Sequence, residues 1–299
     1  MDMLRIDGLY KRFGDKEVLR GLDLAVPKDS IFGFIGKNGS GKTTAMKTVL
    51  GLLKAESGEI FVNGKRAAYG QTATNRFIGY LPDVPEFYSF MTAQEYLRYC
   101  GELTGMKSAD ITARSSELLE LVGLSEESHR IKGYSRGMKQ RLGIAQALMN
   151  RPKLLICDEP TSALDPIGRK EILDILLSAR EQTTVLFSTH ILSDIERICT
   201  DVAFLNDGKA EICGSLSEIK SKYRSEEYLV ELENDSDSSV FIQGFPNIRP
   251  EEANRFRFYE KDHSLFDVMR FAADHRIPIL KLERSEPTLE SLFMEVVEK

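Results

Sequence analysis

Gly36-Lys37-Asn38-Gly39-Ser40-Gly41-Lys42-Thr43-Thr44 follows the apolar run Ile31-Phe32-Gly33-Phe34-Ile35 and precedes a helical pattern from about Lys42 to Leu53. The nonamer fits G-x-x-x-x-G-K-[ST], the phosphate-binding P-loop. Each residue type has a physical reason to be there. The glycines let backbone N–H groups curl around phosphate oxygens. Lys42 is a point charge able to reach the β- and γ-phosphates of a nucleotide, and Thr43 carries a hydroxyl suited to Mg²⁺. The helix that follows aims its unpaired N–H groups at the bound anion. An apolar strand before the loop and a helix after it supply the context that a chance glycine-lysine loop lacks.

Further along, Leu154-Leu155-Ile156-Cys157 is a second apolar strand, ending in Asp158-Glu159. Two adjacent carboxylates at the end of a buried strand need a counter-charge unless they are solvated. Beside a P-loop, the pair reads as Asp158 holding Mg²⁺ and Glu159 acting as general base toward a water. The other strands expected are Met3–Asp7, Val18–Leu24 after a turn at Gly14-Asp15-Lys16, Gly58–Gly64, Thr184–Ser188, and a hairpin of Val202–Leu205 with Ala210–Cys213 across Asn206-Asp207-Gly208-Lys209. Helical patterns dominate from Thr92 to about Met149, opening on the capping box Thr92-Ala93-Gln94-Glu95, and return over Pro166–Arg180.

A second unit is expected after Ser215, reached through a connecting helix over Ser217–Tyr223. Tyr228–Glu233 and Arg255–Glu260 alternate as half-buried strands, separated by the polar loop Asp235-Ser236-Asp237-Ser238-Ser239. A helix over Leu265–His275, a strand over Ile279–Glu283 and a helix over Thr288–Glu298 complete a small α+β domain. The expected division is therefore residues 1–215 and 216–299. The chain carries a net charge of −6, all of it in the second unit, where 12 Lys and Arg face 18 Asp and Glu. Neither part has the basic excess that duplex binding would call for, and no nucleic-acid partner is expected. No run approaches the ~18 apolar residues needed to span a bilayer. The start Met1-Asp2-Met3-Leu4-Arg5 carries no secretory pattern. Cys100, Cys157, Cys199 and Cys213 have no C-x-x-C spacing, so reduced thiols in a cytoplasmic protein are expected rather than zinc or disulfides.

These motifs, in this order, resemble the ATP-binding subunit of an ABC transporter over about residues 3–222. Tyr134-Ser135-Arg136-Gly137-Met138-Lys139-Gln140-Arg141 resembles the family's signature, Ser162-Ala163-Leu164-Asp165 its D-loop, and His190 its switch histidine. Phe13 stands where the family places an adenine-stacking aromatic, with Tyr10 as a competing ring and a structural aromatic as the plainer reading. The resemblance implies an α/β fold: a P-loop NTPase core with an antiparallel β subdomain and a helical subdomain over about 84–150, followed by the α+β C-terminal domain.

It further implies an Mg²⁺-dependent ATPase. Gly36, Asn38, Gly39, Ser40, Gly41, Lys42, Thr43 and Thr44 would hold the phosphates, Glu159 and His190 would be catalytic, and Thr43, Asp158 and Asp83 would contact the metal. Ser135 begins a helical pattern as a natural N-cap. In the family that helix start, with Gly137, faces the ATP of a second subunit, so a homodimer sandwiching two nucleotides is implied. A separate integral-membrane permease is the implied partner, docking near Glu86-Phe87-Tyr88, with the chain peripheral on the cytoplasmic face of the membrane. The signature and C-terminal extension look most like the branch serving bacterial export permeases of the antibiotic type. A soluble ABC ATPase acting on ribosomes or nucleic acid is the alternative. It is disfavoured by the single P-loop and the short interval between Lys42 and Ser135. Intact Lys42, Asp158 and Glu159 speak against an inactive scaffold. Three positions depart from the family pattern: Asp83 replaces the usual Gln, and Arg136 and Met138 replace the first Gly and the Gln of the signature.

Overall fold

A computed structural model describes residues 2–70, 73–222, 227–245, 247–284 and 289–290. In chain order the first unit contains β1 (Asp2–Phe13), β2 (Lys16–Pro27), β3 (Ile31–Ile35), α1 (Lys42–Val49), β4 (Ser57–Val62), β5 (Lys65–Arg66) and β6 (Ile78–Leu81). Three helices follow: α2 (Ala93–Leu103), α3 (Ser108–Leu121) and α4 (Arg136–Leu148). Then come β7 (Leu154–Cys157), α5 (Pro166–Ala179), β8 (Thr184–Thr189), α6 (Leu192–Ile198), β9 (Asp201–Asn206), β10 (Lys209–Ser215) and α7 (Leu216–Lys222). The two compact units of the chain divide between Ser217 and Glu218, so α7 begins in the first and continues into the second.

A six-stranded sheet in the order β10-β9-β3-β8-β7-β6 forms the centre of the first unit, parallel except for the β9–β10 hairpin. Every residue of β3, β7 and β8 is buried. Unbroken apolar runs are what a parallel sheet covered on both faces demands. A second, antiparallel sheet, β2-β1-β4-β5, packs its apolar side (Leu4, Ile6, Leu22) into one core with Phe34 of β3, Met46 of α1 and Ile156 of β7. α1 is thereby fixed between two sheets, and so is the loop leading into it. β1 runs from Asp2 through Phe13 rather than ending at Asp7. Gly8, at φ 54°, takes the left-handed conformation that lets the strand bulge and continue. α1 is shorter than its pattern suggests, ending at Val49 before Gly51 turns the chain at φ 71°. β6 was not marked by its sequence. It pairs with β7 from Ile78 to Leu81, and its Gly79 backbone lies against the Ala147 carbonyl of α4.

Local signals set the helix starts. Thr92 Oγ1 accepts from Glu95 N–H at 3.2 Å while Glu95 Oε2 accepts from Thr92 N–H at 2.9 Å, the reciprocal capping box. Ser135 caps α4 by accepting from Met138 N–H at 3.2 Å. Asp165 caps α5 by accepting from Gly168 N–H at 2.7 Å, with Pro166 in the first turn. At the other end of α4, the fully buried Arg114 of α3 donates to the Leu148 carbonyl at 2.9 Å, to Gln182 Oε1 at 3.1 Å and to Glu117 at 2.6 Å. The three-helix segment is thus joined to the rest of the unit through a buried guanidinium.

The second unit contains β11 (Glu227–Leu232), α8 (Ser238–Gly244), β12 (Arg249–Glu252), β13 (Arg255–Tyr259), α9 (Leu265–Asp274) and β14 (Ile279–Arg284). Its antiparallel sheet has the order β12-β13-β11-β14 and buries Val230, Leu232, Phe256 and Phe258 against Phe241 and Val268 of the helices. On the sheet's other face Arg257 reaches Glu227 at 3.1 Å and Glu251 at 2.7 Å, and Arg255 reaches Glu231 at 3.1 Å. The polar stretch Asp235–Ser239, expected to be a loop, is helical throughout. A 3₁₀ turn over Asp235–Asp237 leads directly into α8, because Phe241 and Phe245 need a helix to bring their rings together at 5.3 Å and onto Phe256. The expected helix over Thr288–Glu298 lies outside the described residues, except for Leu289 and Glu290, which are helical. Among the described residues no helix is long and apolar enough to cross a membrane. All four cysteines are free.

Thr92→Ala removes one of the two bonds of the capping box and is expected to cost about 1 kcal/mol. A urea melt should show a lower midpoint, and an unmoved midpoint would mean that the cap contributes nothing.

Candidate functional site

β3 delivers the chain at Gly36, and α1 begins at Lys42. Between them Gly39 stands at φ 85° and Gly41, the residue preceding α1, at φ 111°. A side chain at Gly41 would be strained by that φ and would also press on Leu19 and on the Val18 carbonyl at 3.0 Å. The tight loop folds back on its own lysine. Lys42, only 6% exposed, donates through Nζ to the Gly36 carbonyl at 2.7 Å and the Lys37 carbonyl at 3.4 Å, and lies 3.3 Å from Glu159 Oε1.

The carboxylates arrive from β7. Cys157 pairs with Phe187 in the parallel register of β7 and β8, so the next residues, Asp158 and Ser188, emerge side by side. Ser188 Oγ donates to Asp158 Oδ1 at 2.7 Å and accepts the Glu159 N–H at 2.9 Å. Glu159 sits at φ 48°, a left-handed conformation that costs a non-glycine residue roughly 1–2 kcal/mol. Its Oε2 is 2.9 Å from His190 Nδ1. Its Oε1 is buried near Lys42 with no hydrogen-bond partner. His190, Glu159 and Lys42 therefore form one continuous chain of contacts.

A cavity of about 390 Å³ opens over these groups. Asn38, Gly39, Gly41, Lys42, Thr43, Thr44, Asp83, Asp158, Glu159 and His190, all singled out by the sequence, line it together with Val18 and Ser162. Gly36 enters through its carbonyl. Ser40 donates its backbone N–H to the Lys37 carbonyl at 3.1 Å, and its hydroxyl is buried without a partner. Three carboxyl groups share this cavity with the ammonium of Lys42. Burial pushes the Asp83 carboxyl above its ordinary range; Arg136, 3.7 Å away, opposes this, while Asp158 and Glu159 add to it. Burial and then the Asp158 charge push the neighbouring Tyr80 up to about 12. Among the described residues no cluster of three or more His, Cys, Asp or Glu could hold a metal unaided. A Thr hydroxyl, carboxylates and open space beside a phosphate-binding loop suit Mg²⁺, which takes one or two protein ligands and completes its shell with phosphate oxygens and water.

Three residues of the expected site lie elsewhere. Ser135 and Gly137 are at the start of α4 and do not line this cavity. A Cβ at Gly137 would meet nothing closer than 3.9 Å, so packing within the chain does not require glycine there. Phe13, half exposed at the end of β1, is also outside the lining, with the Lys11 ammonium 4.9 Å above its ring. Tyr10 is turned to Gly21, where its ring occupies the space a Cβ would need. Val18 was missed because a valine in a strand carries no chemical signal. Ser188 was missed because its meeting with Asp158 depends on strand register.

The ABC transporter sequence pattern matches residues 19–162, and the pattern described as ATP-binding protein DrrA1-3-like, C-terminal domain, matches residues 214–297. The chain is 36% identical to the uncharacterized ABC transporter ATP-binding protein YxlF of Bacillus subtilis, over 99% of both chains. It is 34% identical to the bacitracin transport ATP-binding protein BcrA of Bacillus licheniformis, over 99% of this chain and 97% of the relative. A solved ATP-binding subunit of an ABC transporter superposes with a TM-score of 0.67 at 31% identity, covering 74% of this chain and 93% of the other. The chain belongs to the ABC transporter ATP-binding proteins, a family of ATPases.

Lys42→Ala removes the only ammonium lining the cavity, and hydrogen bonds to a charged group contribute about 1.5–3 kcal/mol. Nucleotide affinity, read by equilibrium binding of a fluorescent ATP analogue, should fall about 10- to 100-fold. Unchanged affinity would remove the loop from the binding site.

Proposed function

We propose that this chain hydrolyses ATP to drive a separate membrane permease, and that it works as a dimer in which each copy completes the other's nucleotide site. The observation that carries the reading is the run of contacts from Lys42 through Glu159 to His190, inside one cavity at the start of α1. Backbone N–H groups of the 38–44 segment and the Lys42 ammonium bind the β- and γ-phosphates of ATP. Lys42 then exchanges the Gly36 and Lys37 carbonyls for phosphate oxygens. Thr43 and Asp158 hold Mg²⁺, with Asp83 lining the same cavity; the cation supplies charge neutralisation at the phosphates. Glu159 accepts the proton of the attacking water. His190 holds the Glu159 carboxylate by its Nδ1 edge and presents its other nitrogen toward the γ-phosphate.

Ser135 and Gly137 fit the same scheme only across a dimer. The capped start of α4, with an unobstructed glycine in its first turn, is an anion-binding surface that a second copy would turn to this copy's γ-phosphate. The groove of about 450 Å³ beside Asp83, Val84, Phe87 and Gln140 suits a cytoplasmic helix of the permease. Exposed Tyr88 and Phe90 extend its apolar rim, and Gln140 Nε2 holds the Asp83 carbonyl at 2.7 Å. Likeness along the whole chain to a bacitracin transport subunit supports export of an antibiotic-type compound as the work performed.

Glu159→Gln retains the shape and binding contacts but loses the base. Turnover should fall about 10²- to 10⁴-fold while nucleotide affinity stays near the parent's. Near-normal turnover would refute the assignment. The same variant, tagged and captured with ATP from detergent-solubilised native membranes, is expected to bring down an integral-membrane protein in stoichiometric amount. Recovery of ribosomes or nucleic acid alone would overturn the transporter reading in favour of a soluble ABC ATPase.

A further inference from the structure

We infer that Ser188 is a positioning residue for hydrolysis: its hydroxyl, hydrogen-bonded to both Asp158 and Glu159, sets which oxygen Asp158 offers to Mg²⁺ and holds the backbone of the general base. The inference rests on the roles proposed above for those two residues.

Ser188 is fully buried on β8, and its hydroxyl has one proton and two lone pairs. The proton goes to Asp158 Oδ1 at 2.7 Å, and a lone pair takes the Glu159 N–H at 2.9 Å. The first bond occupies one oxygen of a carboxylate that is itself 3% exposed, leaving Oδ2 as the oxygen that bond does not use on a residue that lines the cavity. Groups that orient a metal ligand in this way typically contribute 10–100-fold to metal affinity or activity. The second bond acts on a strained residue. Glu159 stands at φ 48° immediately before Pro160, where extended conformations are favoured. A left-handed residue persists only when its surroundings fix it, and the Ser188 hydroxyl receives the one amide that this conformation turns inward. His190 lies two residues further along the same strand direction, with Nδ1 on the Glu159 side chain. β8 thus supports the general base by its amide and by its carboxylate.

Ser188→Ala deletes the hydroxyl, and Ser188→Thr retains it. Binding of a fluorescent ADP is measured in EDTA and across a Mg²⁺ titration, beside steady-state ATPase rates. For Ser188→Ala we expect half-saturating Mg²⁺ to rise about tenfold or more and kcat to fall about tenfold or more, with the affinity in EDTA within about twofold of the parent. Ser188→Thr should stay near the parent in all three. An Ala variant with unchanged Mg²⁺ dependence and kcat overturns the inference. So does one whose EDTA affinity falls in step, or a Thr variant as impaired as the Ala variant. If Ser188→Ala does not fold, Ser188→Cys, of nearly the same size but with only a weak donor and acceptor, should show the same rise in half-saturating Mg²⁺, and a normal value would refute the inference. Glu159→Gln, run in parallel, separates the two levels: if it retains turnover, the proposed reaction fails, whereas its inactivity beside a normal Ser188→Ala fails Ser188 alone.

Discussion

An ammonium group taken out of water must be given acceptors, and the first unit is built around doing so for Lys42. The loop from Gly36 to Gly41 turns its carbonyls inward onto Nζ, and Glu159 brings a negative charge to 3.3 Å. Neither is possible unless β3 and β7 run toward the same edge of the sheet, as they do in parallel on either side of β8. The loop can be this tight only because positions 39 and 41 are glycines, and α1 can begin at Lys42 only because two sheets hold it from either side. These are the contacts that phosphate oxygens would replace in the nucleotide binding proposed above.

How much of this could be read from the residues depended on whether the signal was local. The P-loop, the carboxylates closing β7 and the caps Thr92 and Ser135 are legible because each is a residue type demanded by a backbone event a few positions away. The central strands were legible because burial on both faces writes itself as an unbroken apolar run. What escaped required partners distant in sequence. β6 is too short and mixed to stand out before β7 pairs with it. α8 was hidden behind a serine-rich start, and only the aromatic core of the second unit reveals why it is a helix. Ser188 is one serine among many until strand register sets it beside Asp158. Phe13 is a different case: an aromatic in the expected place that does not line the cavity of this chain.

Two of the three departures from the family pattern are neighbours in space. Asp83, where the family has an amide, and Arg136, where the family has a glycine, approach to 3.7 Å. Exposed pairs of this kind contribute at most about 1 kcal/mol, so the pair is better understood as local charge balance. Asp83 faces two further carboxylates, and without the guanidinium its charge would have no opposing partner among the groups acting on it. The side chain changed, yet the backbone of the same residue still binds Gln140.

The buried guanidinium of Arg114 has a mechanical meaning. It holds the C-terminal end of α4 at Leu148, while the opposite end, twelve residues away at Arg136, is tied instead through Gln140 to the Asp83 carbonyl and through Arg141 to the Val122 and Gly123 carbonyls. A helix of that length is a rod of about 20 Å, so tilting it by about 10° about the anchored end carries its tip through about 3 Å, the length of one hydrogen bond. Gln140 ties the Asp83 loop to this rod in the N-terminal half of the helix. In the dimer proposed above, a displacement of that size at Ser135 would be enough to make or break its contact with a phosphate.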